Sequence, residues 1–334
     1  MTARWLAESL DEAFIRLGIR PTLPSVSSAS PLTRLLRAEA RTQADLADDR
    51  LFPSPFLPDV HAGRSHALRS GLLRVSRDWA AHAVPLESDW GVLSLEARRV
   101  RTEWYTRPTL RPLLLALSGW MPIQKLTARV LWPLELIDRA GFDIVIPSLP
   151  TQSASNRHAL RVDFPSADPS RNVLEVATSI GAIRQTIMHA RELGYRRIVI
   201  WGASLGAYIA ALLGTIAPVE FEALILEKPL ASLSDALRLH GRGSDADRQS
   251  VALRLDRVYR AVSPLDRQPR VDSTRVHVIG ALFDKVTTCV SAQRLASHFN
   301  ASYSAVQASH LYDPGRAKRI VQYLLRITNG TEQT

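Results

Sequence analysis

Tyr195-Arg-Arg-Ile-Val-Ile-Trp-Gly-Ala-Ser-Leu-Gly-Ala-Tyr-Ile-Ala-Ala-Leu-Leu213 is the stretch from which the rest of the chain is read. Ile198 to Trp201 form a short continuous apolar run, the pattern of a strand buried on both faces. From Ala207 onward the apolar residues follow a helical pattern. Between the two stands Gly202-Ala-Ser204-Leu-Gly206, a Gly-x-Ser-x-Gly at a strand-to-helix turn. A turn this tight admits only small residues at its flanks, hence glycine at 202 and 206. A serine at the tip projects its hydroxyl above the sheet edge, and the following helix aims its N-terminus at the same spot. The Leu205 N–H is then a ready donor to an oxyanion. A Gly/Ser-rich turn without chemistry has the same letters, so the neighbouring elements must decide.

Working outward, strand patterns alternate with helix patterns. Apolar or alternating runs predict strands at 71–77, 91–102, 111–117, 142–147, 221–226, 275–281 and 302–306. The first two read as partly antiparallel, with 91–102 as an edge strand. Val173, Val176, Ile180, Ile183, Ile187 and Ala190 recur at steps of three and four, an amphipathic helix closed by Gly194. Further helices are expected at 2–18, 32–47, 122–140 (kinked by Pro133), 290–299 and 314–327, the last capped by Asp313 with Pro314 at its first position. Residues 50–58, punctuated by proline, read as an extended segment on the core. Residues 148–170 form a long polar loop containing His158. Residues 229–270 carry helical patterns and no strand, and read as a small helical lid insertion. The expected organisation is an N-terminal helical and extended extension over 1–90, a core over 91–228 and 271–328 interrupted by that insertion, and a polar tail at 329–334. No internal repeat is present. Such alternation makes an α/β protein with a mostly parallel central sheet and helices on both faces.

Composition bounds the function. The chain has 334 residues, 46% of them hydrophobic, enough for a large core. No run of about 18 apolar residues occurs, so no spanning helix is expected. Glu8, Asp11 and Glu12 interrupt the N-terminal pattern where a signal peptide needs an apolar stretch, which reads as a cytoplasmic protein without integral membrane association. Cys289 is the single cysteine, so neither an intramolecular disulfide nor a cysteine metal cluster can form. The formal charge is +10, and all but four of the 42 basic residues are arginines. They are scattered rather than clustered with aromatics, so nucleic acid is not an expected partner. No His-x-x-x-His pair or acidic cluster supports a metal, and Gly202–Gly206 lacks the Lys-Ser/Thr end of a phosphate loop. No cofactor is expected.

In open parallel sheets ligands bind at the carboxyl ends of strands. Ser204, Asp284 and His310 each follow a predicted strand, so all three converge on one edge. A serine hydroxyl needs a base to accept its proton as it attacks, and imidazole titrates in the right range. The imidazole in turn needs an acceptor at its other nitrogen. The order Ser, Asp, His on strand ends resembles the α/β-hydrolase superfamily, with the likeness running over about residues 91–328. It is carried by Gly202–Gly206, by Gly280-Ala-Leu-Phe-Asp284-Lys-Val and by Ala308-Ser-His310-Leu. The resemblance implies Ser204 as nucleophile, Asp284 as acid and His310 as base. It matches Ser118-Gly119-Trp120 to the strand end where His-Gly-x is usual, which makes Trp120 N–H a second oxyanion donor beside Leu205 N–H. Ser118 in the histidine position departs from that pattern.

Other residues compete for these roles. Glu227 follows a strand where some members carry the acid, but its neighbour Lys228 reads as a solvated partner. Asp266 and Asp272 read as surface acids, His240 as part of the lid, His277 as a strand-face residue and Cys289 as a plain helix start. The expected activity is a serine esterase-like hydrolysis of a small-molecule carboxylic ester or thioester through an acyl-enzyme. A non-catalytic hydrolase-fold binder or scaffold is the alternative, motivated by Ser118 and the long N-terminal extension.

Overall fold

The computed structural model describes residues 3–19, 23, 52, 61–67, 73–81, 98–120, 132–149, 164–165, 169–218 and 220–330. The helix expected at 32–47, the loop residue His158 and the tail at 331–334 lie outside them. Among the described residues nine strands form one sheet: β1 (His61–Ala67), β2 (Leu73–Ala81), β3 (Arg98–Thr106), β4 (Leu113–Leu117), β5 (Asp143–Ser148), β6 (Ile198–Ala203), β7 (Ala223–Glu227), β8 (Val276–Ala281) and β9 (Ser302–Val306). Their spatial order is β1-β2-β3-β5-β4-β6-β7-β8-β9. β1, β2 and β3 pair antiparallel and β3 meets β5 antiparallel, while the ladders from β5 to β9 are all parallel.

The parallel strands read as apolar runs because both of their faces are covered. Side chains alternate across a strand, and the core divides accordingly. Leu113, Leu115, Leu117, Ile198, Ile200, Leu224, Leu226, Val276 and Val278 lie in one buried cluster. That cluster also takes the apolar faces of α3 (Pro169–Glu192), α4 (Leu205–Leu213) and α7 (Cys289–His298). Leu114, Ala116, Ile144, Val199, Trp201, Ile225 and Ile279 lie in the other, with Ile137 of α2 (Leu134–Arg139) and Ile320 and Leu324 of α8 (Arg316–Gly330). α4 is buried at every residue, Leu205 to Leu213, which is why its sequence is apolar all round.

Several elements differ from the sequence expectation. β1 has no predicted counterpart; His-Ala-Gly-Arg-Ser-His-Ala lacks the apolar alternation that announces a strand. β1 falls within the expected 1–90 extension yet pairs antiparallel with β2, the strand expected at 71–77, in the sheet. β3 runs on to Thr106 and is not an edge strand, because β2 and β5 flank it. Of the helix expected at 122–140, residues 122–131 lie outside the described residues and α2 begins just after Pro133; the final helix starts at Arg316, not Pro314. Residues 229–270 hold α5 (Leu233–His240) and α6 (Asp245–Tyr259) and no strand. Ahead of the sheet, α1 (Ala3–Phe14) runs into a turn of π-helix, Ile15–Ile19. Among the described residues no helix is long and apolar enough to cross a membrane.

Chain direction around β4 positions the site. From β4 the chain crosses to β5 on one side, then returns past β4 to β6 on the other. The strand order reverses there, and at such a switch point the carboxyl ends of the two adjacent strands leave a crevice. Ser118-Gly119-Trp120 leaves β4 on one wall of it, and Ser204 leaves β6 on the other.

Candidate active site

Ser204 joins β6 to α4 with φ 55° and ψ −119°, a left-handed conformation that non-glycine residues hold only where surroundings impose it. Three backbone bonds do so. Ser204 N–H donates to the Glu227 carbonyl at the end of β7 (2.9 Å), and the Ser204 carbonyl accepts from Ala207 N–H (3.0 Å) and Tyr208 N–H (3.1 Å). The flanking glycines answer to contact. A Cβ on Gly206 would lie 2.2 Å from the Leu117 carbonyl oxygen, and one on Gly202 would lie 2.4 Å from the Gly206 carbonyl oxygen. Glycine at 206 lets the first turn of α4 lie directly on the backbone at the end of β4, and glycine at 202 lets the same turn pack against β6.

The three residues expected to converge do so. His310 Nε2 is 3.0 Å from Ser204 Oγ, and His310 Nδ1 is 2.8 Å from Asp284 Oδ2. With Nδ1–H donating to the carboxylate, Nε2 carries the lone pair that accepts from the serine hydroxyl. Asp284 Oδ1 accepts from Val286 N–H (2.7 Å) and Thr287 N–H (2.9 Å), and Thr287 Oγ1 lies 2.9 Å from Oδ2. Burial of Asp284 disfavours its charge, but the His310 partner and the Thr287 bonds outweigh that and hold its carboxyl at about 2, against an ordinary 3.8.

This depression exists only in the folded protein. It therefore stabilises the fold at and above pH 4, and the contribution is lost as pH falls toward 2. It amounts to about 2 kcal/mol. Urea denaturation series from pH 5 to pH 2 are expected to show that loss in the wild type beyond whatever Asp284→Asn loses; parallel curves for the two would contradict it.

Gly119 packs on the serine. A Cβ there would sit 2.9 Å from Ser204 Cβ and 3.5 Å from its Oγ. Ser118 is buried, and its Oγ accepts from Trp132 Nε1 at 3.1 Å. The Trp120 indole donates to the Phe164 carbonyl (2.7 Å) and meets the Phe14 ring edge-on at 6.0 Å between centroids. Two cavities open on Ser204. One, of about 310 Å³, is walled by His310, Lys228, Arg316 and Pro133. The other, of about 80 Å³, is apolar and bounded by Leu205, Leu230, Leu233, Phe164 and Val286. Phe14 and Trp120 line both.

Glu227 and Lys228 are not a solvated pair. Both are buried. Glu227 accepts from Trp201 Nε1 (3.0 Å) and Arg316 Nε (2.8 Å); burial raises its pKa, but Arg316 and Lys228 more than compensate and hold its carboxyl below the ordinary range. Lys228 Nζ pairs with Asp313 Oδ2 at 3.1 Å and donates to the His310 carbonyl at 3.2 Å. Asp313, expected as a helix cap, uses its carboxylate on Lys228 and Arg319. A buried charge needs a partner, and these partners are up to 89 residues away in sequence, so neighbouring letters mislead.

The other candidates lie apart from this chain of bonds. Asp266 and Asp272 are exposed. His240 Nε2 is 2.7 Å from the Val286 carbonyl, and its side chain lines the apolar cavity. His277 sits at the start of β8 between Ser302 Oγ (2.6 Å) and the Tyr323 hydroxyl. Burial, with the Arg326 charge second, pushes its pKa down to about 4, so it is neutral at pH 7. Cys289 opens α7, its Sγ 2.9 Å from the Tyr303 hydroxyl. Among the described residues no three His, Cys, Asp or Glu side chains gather to hold a metal ion. The residues that sequence reading missed are Phe14, Lys228 and Asp11. Asp11 had a visible signal: it occupies the stripe of Ala7 and Ile15, at steps of four, where an apolar residue is expected.

No protein-family model matches the chain, and no curated protein sequence matches it significantly. Solved structures do. Acetyl xylan esterase 1 from Thermoanaerobacterium sp. JW/SL YS485 superposes with a TM-score of 0.56 at 12% identity, over 90% of this chain and 94% of that one. An acetyl xylan esterase from Paenibacillus sp. R4 gives 0.56 at 10% identity, over 93% and 98%. An S-formylglutathione hydrolase from Agrobacterium tumefaciens gives 0.54 at 12% identity, over 80% and 99%. The sheet order, the strand-to-helix turn at Ser204 and these superpositions establish that the chain has the α/β-hydrolase fold.

Proposed function

We propose that this protein is a serine hydrolase that cleaves a carboxylic ester or thioester of a small molecule through an acyl-enzyme. The observation that carries the reading is the continuous chain Ser204 Oγ–His310 Nε2, His310 Nδ1–Asp284 Oδ2, at 3.0 and 2.8 Å. As Ser204 Oγ attacks the acyl carbon, its proton passes to His310 Nε2, and Asp284 stabilises the imidazolium. The oxygen of the tetrahedral intermediate takes hydrogen bonds from the Leu205 and Trp120 N–H groups. Leu205 opens α4, so its N–H has no acceptor within that helix. Collapse breaks the bond to the leaving oxygen or sulfur, which receives the proton from His310. Water then attacks the acyl-serine by the same route in reverse, restoring the free serine.

The names of the superposable structures, two acetyl xylan esterases and an S-formylglutathione hydrolase, agree with this chemistry. The 229–270 segment contributes Leu230, Leu233, Ala236 and His240 to the apolar cavity, which supports a covering role for it. A non-catalytic role for the fold is disfavoured by the 3.0 Å contact between base and nucleophile.

Mixing excess p-nitrophenyl acetate with the purified protein tests the reading. A burst of about one p-nitrophenolate per chain is expected, followed by slower turnover, because an activated ester acylates the serine faster than water removes the acetyl group. Absence of both burst and turnover with this ester and with a matched thioester would contradict it.

A further inference from the structure

α1 reaches the site from the far end of the sequence, and its Asp11 is completely buried there. A buried carboxylate persists only when donors fill its lone pairs. The donors to Asp11 come from two loops. Oδ2 accepts from Lys285 N–H (3.1 Å) and His310 N–H (2.9 Å). Oδ1 accepts from the Ser309 hydroxyl (2.9 Å) and Leu311 N–H (3.0 Å). One side chain thus ties the residue after Asp284 to the three residues centred on His310. Lys228 Nζ holds the His310 carbonyl from the other side, so both backbone polar groups of His310 are bound by buried charges.

The remaining contacts of α1 with this region are more exposed. Lys285 Nζ pairs with Glu12 (2.7 Å) and Glu8 (3.5 Å), and the Arg4 guanidinium lies over the Phe283 ring at 4.9 Å. Such surface pairs contribute little. Residues 307–311 belong to no helix or strand, nor do 282–288; backbone bonds join the two loops at their bases, Leu282 N–H to the Val306 carbonyl (3.0 Å) and Phe283 N–H to the Ala308 carbonyl (2.9 Å), and Asp11 bridges them farther out, at Lys285 and at Ser309, His310 and Leu311.

We propose that Asp11 is a positioning residue of the catalytic centre: its carboxylate clamps the loop of Asp284 to the loop of His310 and thereby aligns His310 between Asp284 and Ser204. The proposal rests on the reading of these three residues as a hydrolytic triad. Asp11 touches neither substrate nor the reacting atoms, so its loss acts on the chemical step through His310. An imidazole displaced by about 1 Å loses on the order of 10²-fold in rate. Binding in the two cavities is largely left alone.

The test uses the full-length protein with p-nitrophenyl acetate as substrate and a fluorophosphonate as label, with folding followed by circular dichroism. Asp11→Asn keeps the size and one acceptor oxygen but turns an NH₂ toward two of the four donors. It is expected to lower kcat and the labelling rate together by about 10–100-fold, with KM within about threefold of wild type. Ser309→Ala removes the hydroxyl bond to Asp11 Oδ1, together with the one the hydroxyl accepts from Tyr312 N–H (3.2 Å), and is expected to lower kcat about 3–10-fold. Glu12→Gln, on the solvent side of α1, is expected to keep wild-type kcat. If Asp11→Asn fails to fold, Ser309→Ala carries the test. Folded variants with kcat and labelling rate within about twofold of wild type overturn the proposal, even if their melting temperatures fall, because that is a purely structural role. Ser204→Ala separates the two readings. If it retains turnover, the triad reading itself fails; if it is inactive while the Asp11 and Ser309 variants are not, only the positioning role fails.

Discussion

Replacing Ser204 with alanine is expected to lower kcat for an activated ester by about 10⁴–10⁶-fold while the protein stays folded. In the proposed mechanism the hydroxyl is the atom on which the intermediate forms, so without it His310 and Asp284 have nothing to activate, and the expected loss is large. The fold is spared for local reasons. The side chain of Ser204 meets His310, whereas the bonds that hold the turn run through its backbone: N–H to Glu227 and carbonyl to Ala207 and Tyr208. Alanine keeps all three. It also occupies the same left-handed φ of 55° with a Cβ no larger than serine's. Kinetics on the two proteins, with urea midpoints as the control for folding, check this. Turnover within an order of magnitude of wild type would remove Ser204 from the chemistry.

Gly206→Ala is expected to fail differently, by losing the fold around the site. The added Cβ would lie 2.2 Å from the Leu117 oxygen and 2.5 Å from the Ser118 oxygen, both backbone atoms at the end of β4. No side-chain rotation relieves that overlap. Either α4 lifts away from the sheet or the end of β4 is displaced. Both change the spacing between Ser204 and Gly119-Trp120. α4 is buried along its whole length, so a shift also opens the core against α3 and β7. A loss of at least about 3 kcal/mol is expected, at the upper end for overpacking, with little or no soluble protein at 37 °C. Chemical denaturation and soluble yield measure it. A Gly206→Ala protein with wild-type midpoint and activity would mean that the helix does not rest on β4 as described.

How much of this was legible in the letters varies with the physics of each element. The parallel strands β4 to β8 were readable because both faces are buried, so almost every residue is apolar. The turn at Ser204 was readable because steric demand at its flanks is met by glycine alone. β1 was not readable, since an outer strand of polar residues has no periodicity to report. The end of β3 was misplaced for a related reason: Trp104 and Tyr105 are consecutive and both buried, on opposite faces of the sheet, which breaks simple alternation. Charges were the weakest point. Glu227 beside Lys228 reads as a surface pair, yet each is buried with a partner from the loop or helix after β9. Asp11 lies 299 positions from the His310 N–H that it holds. Hydrophobic patterning registers burial against a core; it is blind to a carboxylate buried against someone else's backbone. That gap kept the N-terminal helix out of the site, although Phe14 lines both cavities.

The central claim is that Ser204, and no other residue, becomes covalently bonded during turnover. Intact-protein mass spectrometry after treatment with a fluorophosphonate, followed by peptide mapping, tests it most directly. The account predicts one adduct per chain, mapped to the peptide containing Gly202-Ala-Ser204-Leu-Gly206, abolished in Ser204→Ala and slowed in His310→Ala. An adduct that persists in Ser204→Ala, or a folded wild-type protein that acquires none, would contradict it.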